Sequence, residues 1–306
     1  MANGALPKTS LPIVVVGPTG VGKTALAVEL ARMLDGEVIG ADAFQVYRGL
    51  EILTNQPSRE TLSLLPHHLI GFLPPTECFS AARFATLARE KILDVISRGK
   101  TPIIAGGSGL YVKALTHGLA DMPPADPGLR AELASLSPSK ARDRLAKLDP
   151  AARIDFQNHR RVLRALEISI LTGRPASEMR KEWKERRTLR FRGILLVRQR
   201  EALHARISEN VRRIFDRGAV AEVGRLGAIG PTASMAIGLR DIQALLRGEC
   251  TEPECVQAVT VSTRRYAKRQ LTWFRNQFTF EIIDLTRFRD TQAILPLAMP
   301  SLAGLT

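Results

Sequence analysis

Short apolar runs alternate with helix-like segments through the first hundred residues. LPIVVVG (11–17) is rich in β-branched residues and is followed by a helical pattern from Lys23 to Leu34. A second helical pattern covers residues 80–97. The other apolar runs are EVIGAD (37–42), HHLIGF (67–72) and TPIIAGG (101–107). Continuous apolar strands that alternate with helices are typical of a parallel sheet covered on both faces. The pattern therefore predicts half of a doubly wound α/β core of the nucleotide-binding type.

The pattern changes at a stretch dense in proline and glycine, DMPPADPG (121–128). Such residues interrupt regular structure, and beyond them the chain turns to charged, helix-like sequence. We predict an inserted helical subdomain at 129–190, with a core formed by residues 1–128 and 191–306.

Beyond the insertion the sheet pattern returns. FRGILLVR (191–198) predicts a strand, amphipathic helices extend to about residue 276, and FTFEIID (278–284) predicts a last strand. At least two of the aromatic residues in the last helical stretch are expected to pack in the core. These aromatic residues are Tyr266, Trp273 and Phe274.

With 306 residues, 45% hydrophobic and 24% charged, the chain has the composition of a globular enzyme with a sizeable core. The opening MANGALPKTSLP lacks the charged and apolar regions of a signal peptide, and no apolar run approaches the roughly 18 residues of a membrane helix. We therefore expect a cytoplasmic protein without a membrane segment. Its three cysteines are too few for a disulfide framework or a complete zinc site, so reduced thiols are expected.

The net charge of +14 favours polyanionic partners, because a basic surface raises their local concentration and releases counterions on binding. Residues 130–200 contain 19 Lys and Arg against 8 Asp and Glu, a net excess of 11. A charged run alone usually marks a solvated helical surface. Its concentration in one predicted subdomain favours a nucleic-acid contact instead.

A phosphate-binding motif follows the first predicted strand directly. Residues 17–24 match the pattern G-x-x-x-x-G-K-[ST] of a P-loop at the start of a helix. Backbone N–H groups of such a loop point at phosphate oxygens, Lys23 supplies a positive charge and Thr24 can hold Mg²⁺. The predicted fold is therefore a P-loop NTPase-like, nucleotide-kinase-like parallel sheet with an inserted α-helical subdomain. The expected phosphate-binding residues are Gly17, Pro18, Thr19, Gly20, Val21, Gly22, Lys23 and Thr24.

The acidic residue that completes the magnesium site of an ATPase or GTPase is missing from its usual place. That residue ends a second apolar strand, whereas TPIIAGG is followed by Ser108, and the chain contains no N-K-x-D sequence for reading guanine. EVIGAD does end in an acid, Asp42, at the carboxyl end of a strand, where α/β sheets place ligands and reacting groups. Asp42 is the first candidate for a catalytic base, although its position equally allows a structural or magnesium-holding carboxylate.

Several longer motifs occur in a fixed order along the chain. They are GPTGVGKT, ADAFQVYRGLEI, PHHLI, FSAARF, AGGSGLYVKAL, RRVLRALEI, IGL and STRRYAKRQLTWFRNQ. Together they resemble the tRNA dimethylallyltransferase family, also called tRNA isopentenyltransferase, over nearly the whole chain. Collinear motifs of this length are far more specific than a glycine loop alone.

The resemblance implies a donor and an acceptor for a transfer reaction. The P-loop, with Mg²⁺ as cofactor, would hold dimethylallyl diphosphate, and Asp42 would accept a proton from the N6 amine of the adenine at tRNA position 37, next to the anticodon. Lys23, Thr24-bound Mg²⁺ and an arginine would stabilise the leaving diphosphate. An adenine in the stacked anticodon stem-loop would have to flip out to reach this site. We expect a monomer.

The resemblance also implies tRNA contacts. Ser108 stands where the family often has threonine and retains the hydroxyl, whereas Ala43 replaces the common serine. The expected tRNA-binding residues are Asp42, Ala43, Phe44, Gln45, Ser108, Arg130, Arg160, Arg161, Val162, Leu163 and Arg164.

One departure from the family concerns the diphosphate-binding arginine, because Asn210 stands at its usual position. Arg206 lies four residues earlier and thus on the same face of the predicted helix. We expect Arg206 to replace the missing arginine, ahead of Arg212 and Arg213.

Two other interpretations remain open. A small-molecule or nucleotide kinase would share the P-loop, the sheet and a basic helical lid, but would bind and consume ATP. A non-catalytic RNA-binding protein would retain only a degenerate loop, which the intact Lys23, Thr24 and Asp42 disfavour.

Overall fold

Six parallel strands form one sheet within the part of the chain that the structure describes. The computed structural model describes residues 11–119, 123, 126–184, 189–288, 295, 296 and 298. The strands are β1 (Ile13–Val16), β2 (Gly36–Gly40), β3 (His67–His68), β4 (Thr101–Gly106), β5 (Arg192–Val197) and β6 (Glu281–Asp284). Their order is β3-β2-β4-β1-β5-β6, which places the fully buried β1 in the interior. The predicted parallel α/β fold is confirmed.

The helices follow the apolar stripes of the sequence. They are α1 (Lys23–Met33), α2 (Arg59–Leu64), α3 (Ala81–Ser97), α4 (Gly109–His117), α5 (Pro127–Ala134), α6 (Pro138–Leu148), α7 (His159–Thr172), α8 (Ala176–Lys184), α9 (Arg200–Asp216), α10 (Ala219–Gly224), α11 (Leu239–Leu246) and α12 (Glu252–Gln277). Thr251 and Glu254 start α12 with a capping box that satisfies free backbone N–H groups. None of the described helices is both long enough and apolar enough to cross a membrane.

The predicted strand HHLIGF (67–72) is much shorter in the structure, because only His67 and His68 pair with β2. Leu69 and Gly71 adopt left-handed backbone conformations, with φ of 59° and 57°, and turn the chain away from the sheet. His68 instead lies at the sheet edge, with its Nε2 atom 2.7 Å from a carboxylate oxygen of the buried Glu37.

The chain divides into two compact units. One comprises the segments before Thr116 and after Leu189 and contains the sheet; the other is Thr116–Leu189 and contains α5 to α8. The helical unit begins at Thr116, within α4, and thus earlier than the expected residue 129. Leu189 N–H donates to Thr116 O at 3.2 Å, so the entry and exit of this unit lie side by side.

Two segments that contributed to the sequence-based expectations fall wholly or partly outside the described residues. The opening residues 1–10, compared above with a signal peptide, lie outside them. So do residues 121, 122, 124 and 125 of the proline-rich stretch.

Candidate active site

The P-loop follows β1 and directs its lysine inward. Gly20 adopts φ 79°, and a Cβ atom there would lie 3.1 Å from Ile207 Cγ1, so glycine relieves both backbone strain and crowding. Lys23 Nζ donates to Pro18 O at 2.9 Å across the loop. Burial lowers the pKa of Lys23 to about 8, although the negative charge of Asp42 opposes this shift. The ammonium group therefore lies inside the loop and close to Asp42.

The ends of β2 and β4 approach so closely that only glycine fits between them. Ala41 N–H donates to Ala105 O (2.8 Å), Ser108 N–H donates to Ala41 O (3.2 Å), and a Cβ atom on Gly106 would lie 2.0 Å from Ala41 O. This packing brings the loop after β4 beside the loop after β2. Asp42 and Ser108 are therefore neighbours at the carboxyl edge of the sheet, where parallel α/β folds bind ligands.

Backbone hydrogen bonds fix the two loops in this arrangement. Phe44 N–H donates to Asp42 Oδ1 at 3.0 Å, which orients the carboxylate. Ala43 N–H donates to Ser108 Oγ at 2.8 Å, so the backbone of Ala43 and the hydroxyl of Ser108 bond to each other.

The segment after this loop is held by two side chains. Gln45 Nε2 donates to the carbonyls of residues 54 and 55 at 3.1 and 3.0 Å. The Glu222 carboxylate accepts the N–H groups of residues 52 and 53, both at 2.7 Å. Burial raises the pKa of Glu222 despite these two bonds. Gln45, expected to contact tRNA, thus uses its amide to hold a neighbouring loop.

Gln270 of α12 joins the P-loop to the loop after β4. Its Oε1 atom accepts Thr19 N–H at 2.8 Å and its Nε2 atom donates to Gly107 O at 2.9 Å. Tyr266 lies one turn earlier on α12 and lines the neighbouring pocket, and burial raises its pKa above the ordinary value. One face of α12 therefore holds both the P-loop and the loop after β4 in place.

Two arginines contact the P-loop from the strand β5 side of the sheet. Arg206 Nε donates to Gly20 O and Arg198 Nε donates to Val21 O, both at 3.0 Å. Burial and the nearby charge of Arg206 lower the pKa of Arg198. Positive charge is thus concentrated around a loop whose backbone N–H groups can bind phosphate.

The position of Asn210 lies on the same face of α9 as Arg206. Asn210 Nδ2 lies 3.7 Å from where a Cβ atom of Gly20 would be, and Asn210 Oδ1 accepts a bond from Arg213 at 2.6 Å. Arg212 and Arg213 are both exposed. Of the three substitutes considered from the sequence, only Arg206 has a described hydrogen bond to the P-loop.

A pocket opens beside the P-loop and is lined by polar and apolar side chains in equal number. Its polar lining residues are Thr19, Asp42, Thr54, Asn55, Asn210, Thr263 and Tyr266. Its apolar lining residues are Phe44, Leu53, Ile207, Val211, Ile214, Ile237 and Val259. Such a pocket suits a ligand with a charged head and a short hydrocarbon tail.

In the helical unit, two of the expected tRNA-binding arginines hold a buried acid. Arg130 Nε donates to Glu167 Oε1 at 2.9 Å, and Arg164 donates to Glu167 Oε2 and to Pro123 O. Burial acts to raise the pKa of Glu167, but hydrogen bonds from Arg164, Arg130 and the Asp126 N–H group lower it overall. Arg130 and Arg164 therefore have a structural role within this unit.

The neighbouring residues of α7 differ in exposure. Arg160 and Arg161 are exposed on its first turn. Val162 is fully buried in the core of the helical unit and Leu163 packs against that core. Although the resemblance implied tRNA contact along the whole stretch, the side chain of Val162 is not available to RNA.

Comparison with known proteins relates this arrangement to one family. The family model described as IPP transferase matches residues 45–277, more than half of the chain. The chain belongs to the IPP transferase family. Proteins similar to it include the tRNA dimethylallyltransferases of Anoxybacillus flavithermus (42% identical over 281 residues, covering 90% of each chain) and Geobacter sulfurreducens (43% over 288 residues, covering 90% of this chain and 92% of that one).

The fold of this IPP transferase family member is also similar to that of solved structures. The tRNA isopentenylpyrophosphate transferase of Bacillus halodurans matches with a TM-score of 0.69 and 36% identity, covering 96% of this chain and 97% of that one. A eukaryotic dimethylallyltransferase, described as acting on tRNA, matches with a TM-score of 0.78 and 27% identity over 96% of this chain and 80% of that one.

Three residues of this IPP transferase site were missed by the sequence analysis. Gln270 and Glu222 lie on helices and act through backbone groups far away in sequence. Arg198 directly follows β5, and its position at the carboxyl end of a parallel strand was a usable signal.

Proposed function

We propose that the protein transfers a dimethylallyl group from dimethylallyl diphosphate to an adenine of tRNA. The observation that carries this proposal is the P-loop beside a small pocket whose lining includes seven apolar side chains together with the carboxylate of Asp42. The family and the names of its relatives support the same chemistry. A kinase pocket would instead have to accommodate the sugar and base of ATP.

The donor's diphosphate would bind where positive charge and backbone N–H groups converge. Lys23, Arg206 and Arg198 lie at the P-loop and would stabilise the charge that grows on the leaving group. Thr24, the second residue of α1, is exposed beside Lys23 and offers a hydroxyl oxygen, the ligand type that Mg²⁺ prefers. It would hold Mg²⁺, which supplies further positive charge to the diphosphate.

The acceptor would be the exocyclic N6 amine of the adenine next to the anticodon. Its nitrogen forms a bond to the first carbon of the prenyl group as the bond from that carbon to the diphosphate oxygen breaks. The amine proton passes to Asp42, whose carboxylate is oriented by Phe44 N–H. The adenine has to leave its stack to reach this carboxylate.

The exposed arginines of α7 would bind tRNA phosphates, since Arg160 and Arg161 contribute to the basic excess of this region. All the residues used in the proposed reaction belong to one chain, so a monomer suffices.

A direct test incubates the protein with unmodified tRNA, Mg²⁺ and dimethylallyl diphosphate without any nucleoside triphosphate. Mass analysis of the digested tRNA should show one adenosine heavier by a prenyl group that replaces hydrogen. Absence of this product, together with consumption of ATP in the presence of a small-molecule acceptor, would favour a kinase.

A further inference from the structure

We propose that Val259, with Ile214 and Leu53, closes the far end of the pocket and limits the donor to a five-carbon tail. This inference rests on the proposed function, because it assigns the apolar wall to the donor's hydrocarbon. All three side chains are buried, with exposures of 1%, 5% and 5%. The residues that would enforce donor length are therefore distinct from those that would hold the diphosphate.

One face of helix α9 lines the pocket. Ile207, Asn210, Val211 and Ile214 line it at helical spacing. Ile207 contacts the P-loop at Gly20, and seven residues later Ile214 lies about 10 Å further along the axis at 1.5 Å per residue. The end of the pocket near Ile214 is therefore the end farthest from the phosphate site.

Helix α12 lines the same pocket in the opposite direction. Tyr266 lies one turn before Gln270, which accepts a hydrogen bond from Thr19 N–H of the P-loop, and thus marks the end of the pocket nearest the phosphate site. Thr263 and Val259 follow toward the start of the helix at the next two turns. The positions on both helices therefore place Val259 and Ile214 at the same end of the pocket, the one far from the phosphate site.

The backbone at Gly238 packs directly against Val259 and Leu53. Gly238 has φ 86°, and a Cβ atom there would lie 3.1 Å from Val259 Cγ1 and 3.3 Å from Leu53 Cδ1. A dimethylallyl tail extends about 5 Å, given bonds of about 1.5 Å between its carbons, and a geranyl tail about twice as far. Because either tail starts beyond the diphosphate, the longer one would collide with Val259 and its neighbours.

The test compares dimethylallyl diphosphate with geranyl diphosphate as donors for the wild type and for Val259→Ala. Removal of two methyl groups at the floor should raise the ratio of kcat/KM for geranyl over dimethylallyl by roughly tenfold or more, the scale of a one-methylene change in an apolar pocket. Ile214→Val is a milder second variant and should raise the ratio in the same direction. Val261→Ala is the matched control, since it removes the same atoms from the same helix but does not line this pocket.

The outcomes separate the two proposals. Normal dimethylallyl transfer, with a donor ratio in Val259→Ala and Ile214→Val within about twofold of the wild type and of Val261→Ala, would overturn the length limit alone. Failure of the wild type to transfer dimethylallyl at all would overturn the proposed function and this inference with it. An equal rise of the ratio in Val261→Ala would assign the effect to general loosening of α12 and would also overturn the inference.

Discussion

The Asp42 carboxylate, which we propose as the base, lines the pocket beside Lys23 and accepts a hydrogen bond from Phe44 N–H at Oδ1. Asp42→Asn preserves the shape and that hydrogen bond but removes the basic oxygen. We expect single-turnover transfer to slow by about 10²-fold or more, the usual scale for loss of a general base, while filter binding shows little change in tRNA affinity. A transfer rate within about threefold of the wild type would assign Asp42 a structural or metal-holding role instead.

Replacing Arg206 tests whether it takes the diphosphate-binding role expected at Asn210, one turn later on α9. Arg206→Ala removes a guanidinium that contacts the P-loop through Gly20 O. It should raise KM for dimethylallyl diphosphate and slow transfer, with kcat/KM lower by about 10²-fold, the scale for one charge-stabilising donor. Arg212→Ala, an exposed arginine of the same helix, is the control and should leave donor kinetics unchanged. Equal kinetics in both variants would direct attention to Arg198.

At the scale of single elements, α7 exposes two arginines on its first turn, Arg160 and Arg161, which we propose to bind RNA. Replacement of the exposed Arg160 and Arg161 by alanine should weaken tRNA binding and reduce the slope of log affinity against log salt by about one per lost phosphate contact. The measurement is a filter-binding titration at several salt concentrations, with donor affinity by calorimetry expected to stay constant.

Arg164→Ala is the informative comparison for this pair. Arg164 holds the buried Glu167, so its loss should lower the melting temperature of the protein. If the double variant loses thermal stability in the same way but keeps the salt slope of the wild type, its arginines are structural too, and the RNA surface lies elsewhere.

Elements buried on both faces were predictable from sequence. Strands β1 and β4 are continuous apolar runs because helices cover both sides of the sheet. HHLIGF has a similar composition, yet left-handed turns at Leu69 and Gly71 end its pairing after two residues. Backbone conformations of this kind are set by tertiary packing and leave little trace in apolar periodicity.

The candidate site was predictable only where a local motif carries the chemistry. The P-loop and Asp42 follow strands directly, so their location could be inferred from neighbouring residues. The hydrogen bond from Thr19 N–H to Gln270 joins groups 251 positions apart, and no spacing rule connects them. The pocket was equally hidden, because its wall forms only when α9 and α12 pack together.

At the scale of the whole molecule, an acid-sensitive ion cluster lies at the amino ends of the sheet strands, opposite the active site at their carboxyl ends. The Glu37 carboxylate is 1% exposed and is bonded to Arg98, Lys100 and His68. Hydrogen bonds, first of all from Arg98, lower the pKa of Glu37 to about 2. Its stabilising contribution is therefore present above its ordinary pKa near 4.5 and is lost as the pH falls toward about 2.

Glu37→Gln should consequently lower the free energy of unfolding at neutral pH by about 2 kcal/mol. This is less than the usual cost of breaking a buried ion pair, because Arg98 and Lys100 are partly exposed to solvent. The difference from the wild type should shrink as the pH is lowered through this range, which urea unfolding at several pH values would measure. Glu249→Gln, at an exposed pair with Arg247, is the control and should have little effect. A pH-independent difference between Glu37→Gln and the wild type would mean that the cluster acts through packing rather than charge.

The hydrogen bonds of Gln270 also determine when a newly synthesised molecule can become catalytically active. Ribosomes build the P-loop first, but Thr19 meets its Gln270 partner only after another 251 residues have been added. Until α12 emerges and docks, a nascent polypeptide also lacks Val259, Thr263 and Tyr266 from its pocket. Catalytic competence is thus a late event of biosynthesis, and a truncated translation product that ends before α12 would retain the conspicuous glycine motif without a working site.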